Sequence, residues 1–165
     1  MQNSTTPLVL DADALNCVAK QPEILLRKKS PIIITPHPGE MSRLTGLATP
    51  LVNAERERVA LDFAQKYGVV TVLKGAGTVI ASPNGKVLVN PTGNSGMATG
   101  GSGDVLAGMT ASILAQGASA FSSAAAAVYL HGLAGDIAAE KYGKISMLPT
   151  DLINCIPLAY KRCGF

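Results

Sequence analysis

Three short runs constrain the fold of this sequence more than any other feature. They are Pro7-Leu8-Val9-Leu10-Asp11, Pro31-Ile32-Ile33-Ile34-Thr35 and Val69-Val70-Thr71-Val72-Leu73. Each is almost continuously apolar, without the alternation of a strand that has one wet face. Runs of this kind suit parallel strands covered on both sides. The first two lead into helical patterns, and the third leads into a hairpin, Thr78–Ser82 and Lys86–Asn90, across the turn Pro83-Asn84-Gly85. Strands that alternate with helices predict an α/β fold with a mainly parallel sheet.

Helix signals fill the intervals. Asp13 reads as the cap of a helix through Ala19, with Leu15 and Val18 turned inward. Glu40 to Leu44 reads as a short helix stopped at Gly46. Thr49-Pro50 opens one long helix, with Thr49 as cap and Pro50 in the first turn. Val52, Val59, Phe63 and Tyr67 form its apolar stripe, Glu55 to Arg58 a solvated charged face, and Gly68 its end. Further helices are expected over Asp104–Gln116, over Ser119–Lys141, and from Pro149 onward in spite of Pro157.

Composition narrows the class of partner. Hydrophobic residues make up 47% and charged residues 15% of 165 positions, which suits one globular domain with a core. The net charge of +3 is scattered, and aromatics are only 4%, so no nucleic-acid footprint appears. The three cysteines, Cys17, Cys155 and Cys163, are odd in number and lack metal-type spacing. They read as reduced thiols of a cytoplasmic protein. The two histidines, His37 and His131, are too far apart in sequence to suggest a zinc site, and no metal ligands are assigned. Met1–Pro7 lacks the basic start and apolar run of a signal peptide. The apolar stretch from Val105 to Ala139 is broken by Gln116-Gly117, Ser122-Ser123, His131 and Asp136 into pieces shorter than a membrane span.

In open α/β sheets, ligands bind at the carboxyl ends of the strands. Asp11 stands at one such end, where it could serve a metal or a sugar hydroxyl. His37 follows another, held between Pro36 and Pro38, and reads as a ligand contact. Lys74 ends the third and precedes Gly75 and Gly77. It reads either as a phosphate or nucleotide contact or as a solvated loop lysine. The run Asn90 to Gly108 carries six glycines between Gly93 and Gly108 and leads into a helix. Gly100-Gly101-Ser102-Gly103 lets backbone approach a ligand, and the free N–H groups of the helix start favour an anion there. Asp104 follows directly. It is either the helix cap or a base that takes a proton from a hydroxyl while the N–H groups neutralise charge on a transferring phosphoryl group. His131 reads as a satisfied buried residue. A P-loop, a complete dinucleotide fingerprint and a Gly-x-Ser-x-Gly elbow are all missing.

Thr99-Gly-Gly-Ser-Gly-Asp104 resembles the anion-hole and catalytic-Asp motif of ribokinase-like proteins. With Asp11-Ala-Asp-Ala-Leu-Asn16, Thr35-Pro-His-Pro-Gly-Glu40, Lys74-Gly-Ala-Gly-Thr78 and the whole Asn90–Gly108 run, in this order, the sequence is similar to the ADP-dependent NAD(P)H-hydrate dehydratase family over about Leu8 to Leu158. The resemblance implies a ribokinase-like three-layer α/β/α sandwich. It implies removal of water from hydrated NADH or NADPH with ADP, or ATP in some relatives, and with magnesium. It implies that Lys74, Gly75, Ala76, Gly77 and Thr78 bind the adenosine and phosphates. Gly101, Ser102 and Gly103 would form the anion hole, with Gly103 also on the nucleotide. Asp104 would sit by the ring hydroxyl, and His37 would contact that substrate. Two other readings stand beside it: a ribokinase-like kinase for a small alcohol such as a vitamin precursor, and a catalytically silent nucleotide-binding module. Family members carry a long segment before the Asp-Ala-Asp strand, which here begins at Pro7. Residues 1–165 are therefore expected to form the C-terminal part of one domain, lacking its N-terminal strands. An N-terminal fragment of the same domain, or a second copy, is the expected partner.

Overall fold

The computed structural model describes residues 4–165. Five strands form one sheet in the order β1 (Leu8–Leu10), β2 (Ile32–Ile34), β3 (Val70–Leu73), β4 (Val79–Ala81) and β5 (Val87–Val89). β1, β2 and β3 run parallel, with Val9 beside Ile33 and Ile33 beside Val70. β4 returns antiparallel to β3, and β5 antiparallel to β4.

Strand residues alternate between two cores, as the period of two requires. Ile33, Val70, Val72 and Ile80 pack against α5 (Ser102–Ala115), α6 (Ala120–Tyr142) and α7 (Pro149–Arg162). Ile32, Ile34, Val69, Leu73, Val79 and Ala81 pack on the other face, against α1 (Asp13–Ala19), α2 (Pro38–Thr45), α3 (Thr49–Ala54) and α4 (Arg56–Tyr67). All three isoleucines of β2 are at most 1% exposed. Each such side chain contributes roughly 1.5–3 kcal/mol by leaving water. Buried Ala124, Ala127, Ala134 and Ala138 keep α6 slim, so that α5 and α7 lie close against it. The result is the expected three-layer sandwich.

The local chemistry of several helix starts departs from expectation. The N-cap of α1 is Ala12, at φ 50°, and Asp13 is the first helical residue with no capping bond. The carboxylate that bonds the Ala12 N–H is that of Asp11, at 2.9 Å. α2 starts at Pro38, not Glu40, because His37 and Glu40 form a reciprocal capping box around its first turn. The long helix expected after Thr49-Pro50 is two helices that break at Glu55 (φ −126°, ψ 42°), and its cap is Ala48. The break turns Arg56 out of the solvated face and beneath the loop after β3, where it donates to the carbonyls of Leu73 (2.9 Å), Lys74 (3.3 Å) and Gly77 (3.3 Å). The neighbouring Arg58, paired with Glu55 and Asp62, does stay on the surface.

Candidate functional site

The carboxyl ends of β1, β2 and β3 open on a cavity of about 940 Å³. Asp11, His37 and Lys74 reach it, one from each strand end. The loop Gly75–Thr78, the stretch Asn90–Asn94 and the first turn of α5 complete its wall. Every residue singled out from the sequence for substrate, nucleotide or catalysis lines this one space: His37, Lys74 to Thr78 and Gly101 to Asp104.

α5 is entered through Gly101, whose φ of 94° is open to glycine and costly for other residues. Ser102, Gly103 and Asp104 are its first three residues; the Ser102 N–H donates to the Thr99 carbonyl at 3.3 Å, while those of Gly103 and Asp104 have no backbone partner among the described residues and stand at the positive end of the helix dipole. Gly101 is the N-cap, and Asp104 makes no capping bond. Asp104 is exposed at the cavity wall, which removes the cap as the reason for its presence.

Lys74 is not a solvated loop lysine. Its ammonium lies 2.7 Å from Asp11 Oδ1 and 3.8 Å from Glu40 Oε2, and its side chain is 20% exposed. Lys74 Nζ stands 3.5 Å, and Asp11 Oδ2 3.8 Å, from where a Cβ on Gly103 would be. The cation, the carboxylate and the start of α5 thus converge on one point. A Cβ at 103 would make ordinary van der Waals contact with both groups.

His37 belongs to the wall through its backbone as well as its ring. Its Nδ1 accepts from the N–H of Gly39 (3.0 Å) and of Glu40 (3.3 Å), so the neutral ring carries its proton on Nε2. Glu40 Oε2 accepts from the His37 N–H at 2.7 Å and is buried beside Lys74. A substrate hydroxyl or amide can therefore meet only the Nε2 side of His37.

The far wall rests on α6. His131 is 8% exposed, and burial pushes its pKa down to about 4. The neutral ring donates from Nε2 to the Ser102 carbonyl at 2.9 Å and so fixes the first turn of α5. Asp136 accepts from the Gly93 N–H (2.8 Å) and from Asn94 Nδ2 (2.9 Å). Thr92 donates to the Tyr129 carbonyl at 2.9 Å. These bonds seat the Asn90–Asn94 loop on the helix. Reading the sequence missed Glu40, Arg56 and Asp136. Asp136 left a trace, an acid inside an Ala- and Gly-rich helix; Arg56 left none, because nothing separates it from Arg58 in a run of charges.

A sequence model of the NAD(P)H-hydrate dehydratase family matches residues 1–158. The chain belongs to this family. It is 47% identical over 156 residues to the bifunctional NAD(P)H-hydrate repair enzyme Nnr of Moorella thermoacetica, covering 94% of this chain and 29% of that protein. The ADP/ATP-dependent NAD(P)H-hydrate dehydratase of Bacillus subtilis, co-crystallised with ATP and Mg2+, superposes with a TM-score of 0.86 at 37% identity, over 94% of this chain and 55% of the other. A ribokinase-like superfamily protein from Enterococcus faecalis superposes with a TM-score of 0.79 at 33% identity, over 94% of this chain and 52% of that one. The fold is thus ribokinase-like, and the chain spans about half the length, or less, of these relatives. Among the described residues no helix is long and apolar enough to cross a membrane.

Proposed function

We propose that this chain carries the nucleotide site and the catalytic base for ADP-dependent dehydration of hydrated NADH or NADPH. One observation carries the proposal: the carboxylate of Asp104, without a partner among the described residues, stands at the start of α5, in the same cavity as the Lys74–Thr78 loop. Hydroxide is a poor leaving group, and phosphate is a good one. Asp104 accepts the proton of the ring hydroxyl as its oxygen takes a phosphoryl group from ADP or ATP, the second substrate. The free N–H of Gly103, with the positive end of the α5 dipole, neutralises the developing charge. Loss of phosphate from the ring, with a proton from the adjoining carbon, restores the double bond. Lys74 to Thr78 and Gly103 hold the nucleotide, and His37 Nε2 contacts the hydrated ring.

Magnesium fits this site only together with the nucleotide. No cluster of three or more His, Cys, Asp or Glu among the described residues could hold it alone. Asp11, beside Lys74 at the anion point, is the carboxylate on hand, and phosphate oxygens and water would complete the shell. The ion would supply charge neutralisation on the transferring group.

The experiment is a product assay with hydrated NADH, ADP and magnesium. The reading predicts that the near-ultraviolet absorbance of reduced nicotinamide reappears only when ADP is present, with AMP and phosphate released. A stable phosphorylated alcohol would instead make the protein a small-alcohol kinase. ADP bound but never consumed would make it a silent binding module.

We also propose a strand partner for β1. It is an edge strand whose three residues are all half-buried. An unpaired parallel edge invites pairing, here with an N-terminal segment of the same domain or with a second copy of this chain. Light scattering with denaturing mass spectrometry tests this; a monodisperse 16.9 kDa monomer with a cooperative melt would refute it. We place the protein in the cytoplasm, a reading supported by three cysteines that form no disulfide.

A further inference from the structure

We propose that Arg56 is a positioning residue for the nucleotide, holding the Lys74–Thr78 loop so that the Gly75 and Thr78 N–H groups face the large cavity. The inference rests on the nucleotide role proposed for that loop. The loop separates two spaces. One is the large cavity. The other is a smaller cavity of about 440 Å³ lined by Arg56, Glu57, Ala76, Gly77 and Val89 among others, and Arg56 does not line the large one. From the smaller side its guanidinium takes the carbonyls of Leu73, Lys74 and Gly77.

In a planar trans peptide the C=O and N–H point opposite ways. Drawing those three carbonyls toward Arg56 turns the N–H groups of Lys74, Gly75 and Thr78 away from it, toward the large cavity. The Lys74 N–H is already taken by the Pro36 carbonyl at 2.8 Å. Those of Gly75 and Thr78 donate to no protein group among the described residues. They form a pair of aligned donors on the cavity side, suited to the oxygens of a phosphate. Gly75 fits this arrangement in a second way. Its φ is 146°, and a Cβ there would lie 2.5 Å from Arg56 Nη1, so the loop can close over the guanidinium only with glycine at this position. Arg56 forms no ion pair with a carboxylate among the described residues, so its hydrogen bonds to the loop are its main polar attachment. A lysine at 56 presents donors from a single nitrogen and cannot span three carbonyls as the planar fork does.

The test compares ADP with adenosine by calorimetric titration in wild type, Arg56→Gln, Arg56→Lys and the surface control Arg58→Gln. Thermal melts check folding, and hydrogen exchange reads residues 75–78. The expected result is a loss of about tenfold or more in ADP affinity in Arg56→Gln and a smaller loss in Arg56→Lys. Adenosine affinity should stay within about twofold, exchange at Gly75 and Thr78 should change, and Arg58→Gln should match wild type. Should Arg56→Gln fail to fold, Arg56→Lys carries the same comparison. ADP affinity unchanged in folded Arg56 variants would overturn the inference alone. So would equal losses for ADP and adenosine, which mark a general structural role. A wild-type protein that binds neither ADP nor adenosine would overturn the nucleotide reading and this inference with it.

Discussion

Replacing Lys74 by alanine removes the one cation that two sheltered carboxylates share. Asp11 and Glu40 side chains are 13% and 7% exposed, and the ammonium stands 2.7 Å and 3.8 Å from them. A lysine in open solvent would move stability by no more than about 0.5 kcal/mol. Deleting one partner of a buried ion pair costs about 3–5 kcal/mol, because the charges left behind have neither water nor a counter-ion. Lys74 keeps 20% of its side-chain surface exposed, so the low end applies: ~3 kcal/mol. That is a large share of a typical total of about 5–15 kcal/mol. Urea unfolding of Lys74→Ala, Asp11→Asn and the double variant is the assay. Neutralising Asp11 should recover part of the loss, so the double variant should be more stable than the sum of the single changes predicts. A Lys74→Ala variant within about 0.5 kcal/mol of wild type, with no coupling to Asp11, would refute the picture of a shared cation.

His131 gives the protein a pH-dependent stability. Its folded pKa of about 4 lies below the ordinary 6.5, so the unfolded chain binds more protons between those values. This contribution is complete above about pH 6.5 and is lost as pH falls toward 4, on the order of 3 kcal/mol in all. His131→Gln, which keeps a donor for Ser102, should flatten the curve of unfolding free energy over that window; an unchanged slope would contradict the assignment. Gly132→Ala places a methyl against Thr92, including 2.8 Å from its backbone carbonyl carbon. It should lift the Asn90–Asn94 loop from α6 at about 1–3 kcal/mol, seen as a lower melting temperature and a weaker ADP titration.

The sheet was legible because its strands are uniformly apolar and cannot be placed with a wet face. The cavity was legible because strand ends collect ligands, and His37, Lys74 and the glycine-rich run stand where such ends lead. What escaped depends on contacts between residues far apart in the chain. Lys74 meets Asp11 across 63 positions, and no local pattern marks the pair. The split between α3 and α4 follows the reach of Arg56 to carbonyls 17 to 21 residues ahead, while its own neighbourhood reads as an uninterrupted helix. Helix starts were misassigned by one or a few residues for a related reason. Asp13 and Thr49 are good caps by type, but the chain geometry gave those places to Ala12 and Ala48. At Asp104 the same preference for acids at helix starts kept the cap and the base equally open until Gly101 proved to be the cap.

The measurement that bears most directly on the whole account is Asp104→Asn, assayed twice: for ADP binding and for ADP-driven recovery of NADH from its hydrate. Asparagine keeps the shape and removes the proton acceptor. Asp104 shares the cavity with the Lys74–Thr78 loop but makes no cap, and its exchange for asparagine leaves the loop's own contacts in place, so ADP should bind within about twofold of wild type. Recovery should fall by about 10²–10⁴-fold, the usual worth of a positioned general base. Recovery near the wild-type rate, with ADP bound as before, would contradict Asp104 as the base and with it the central claim.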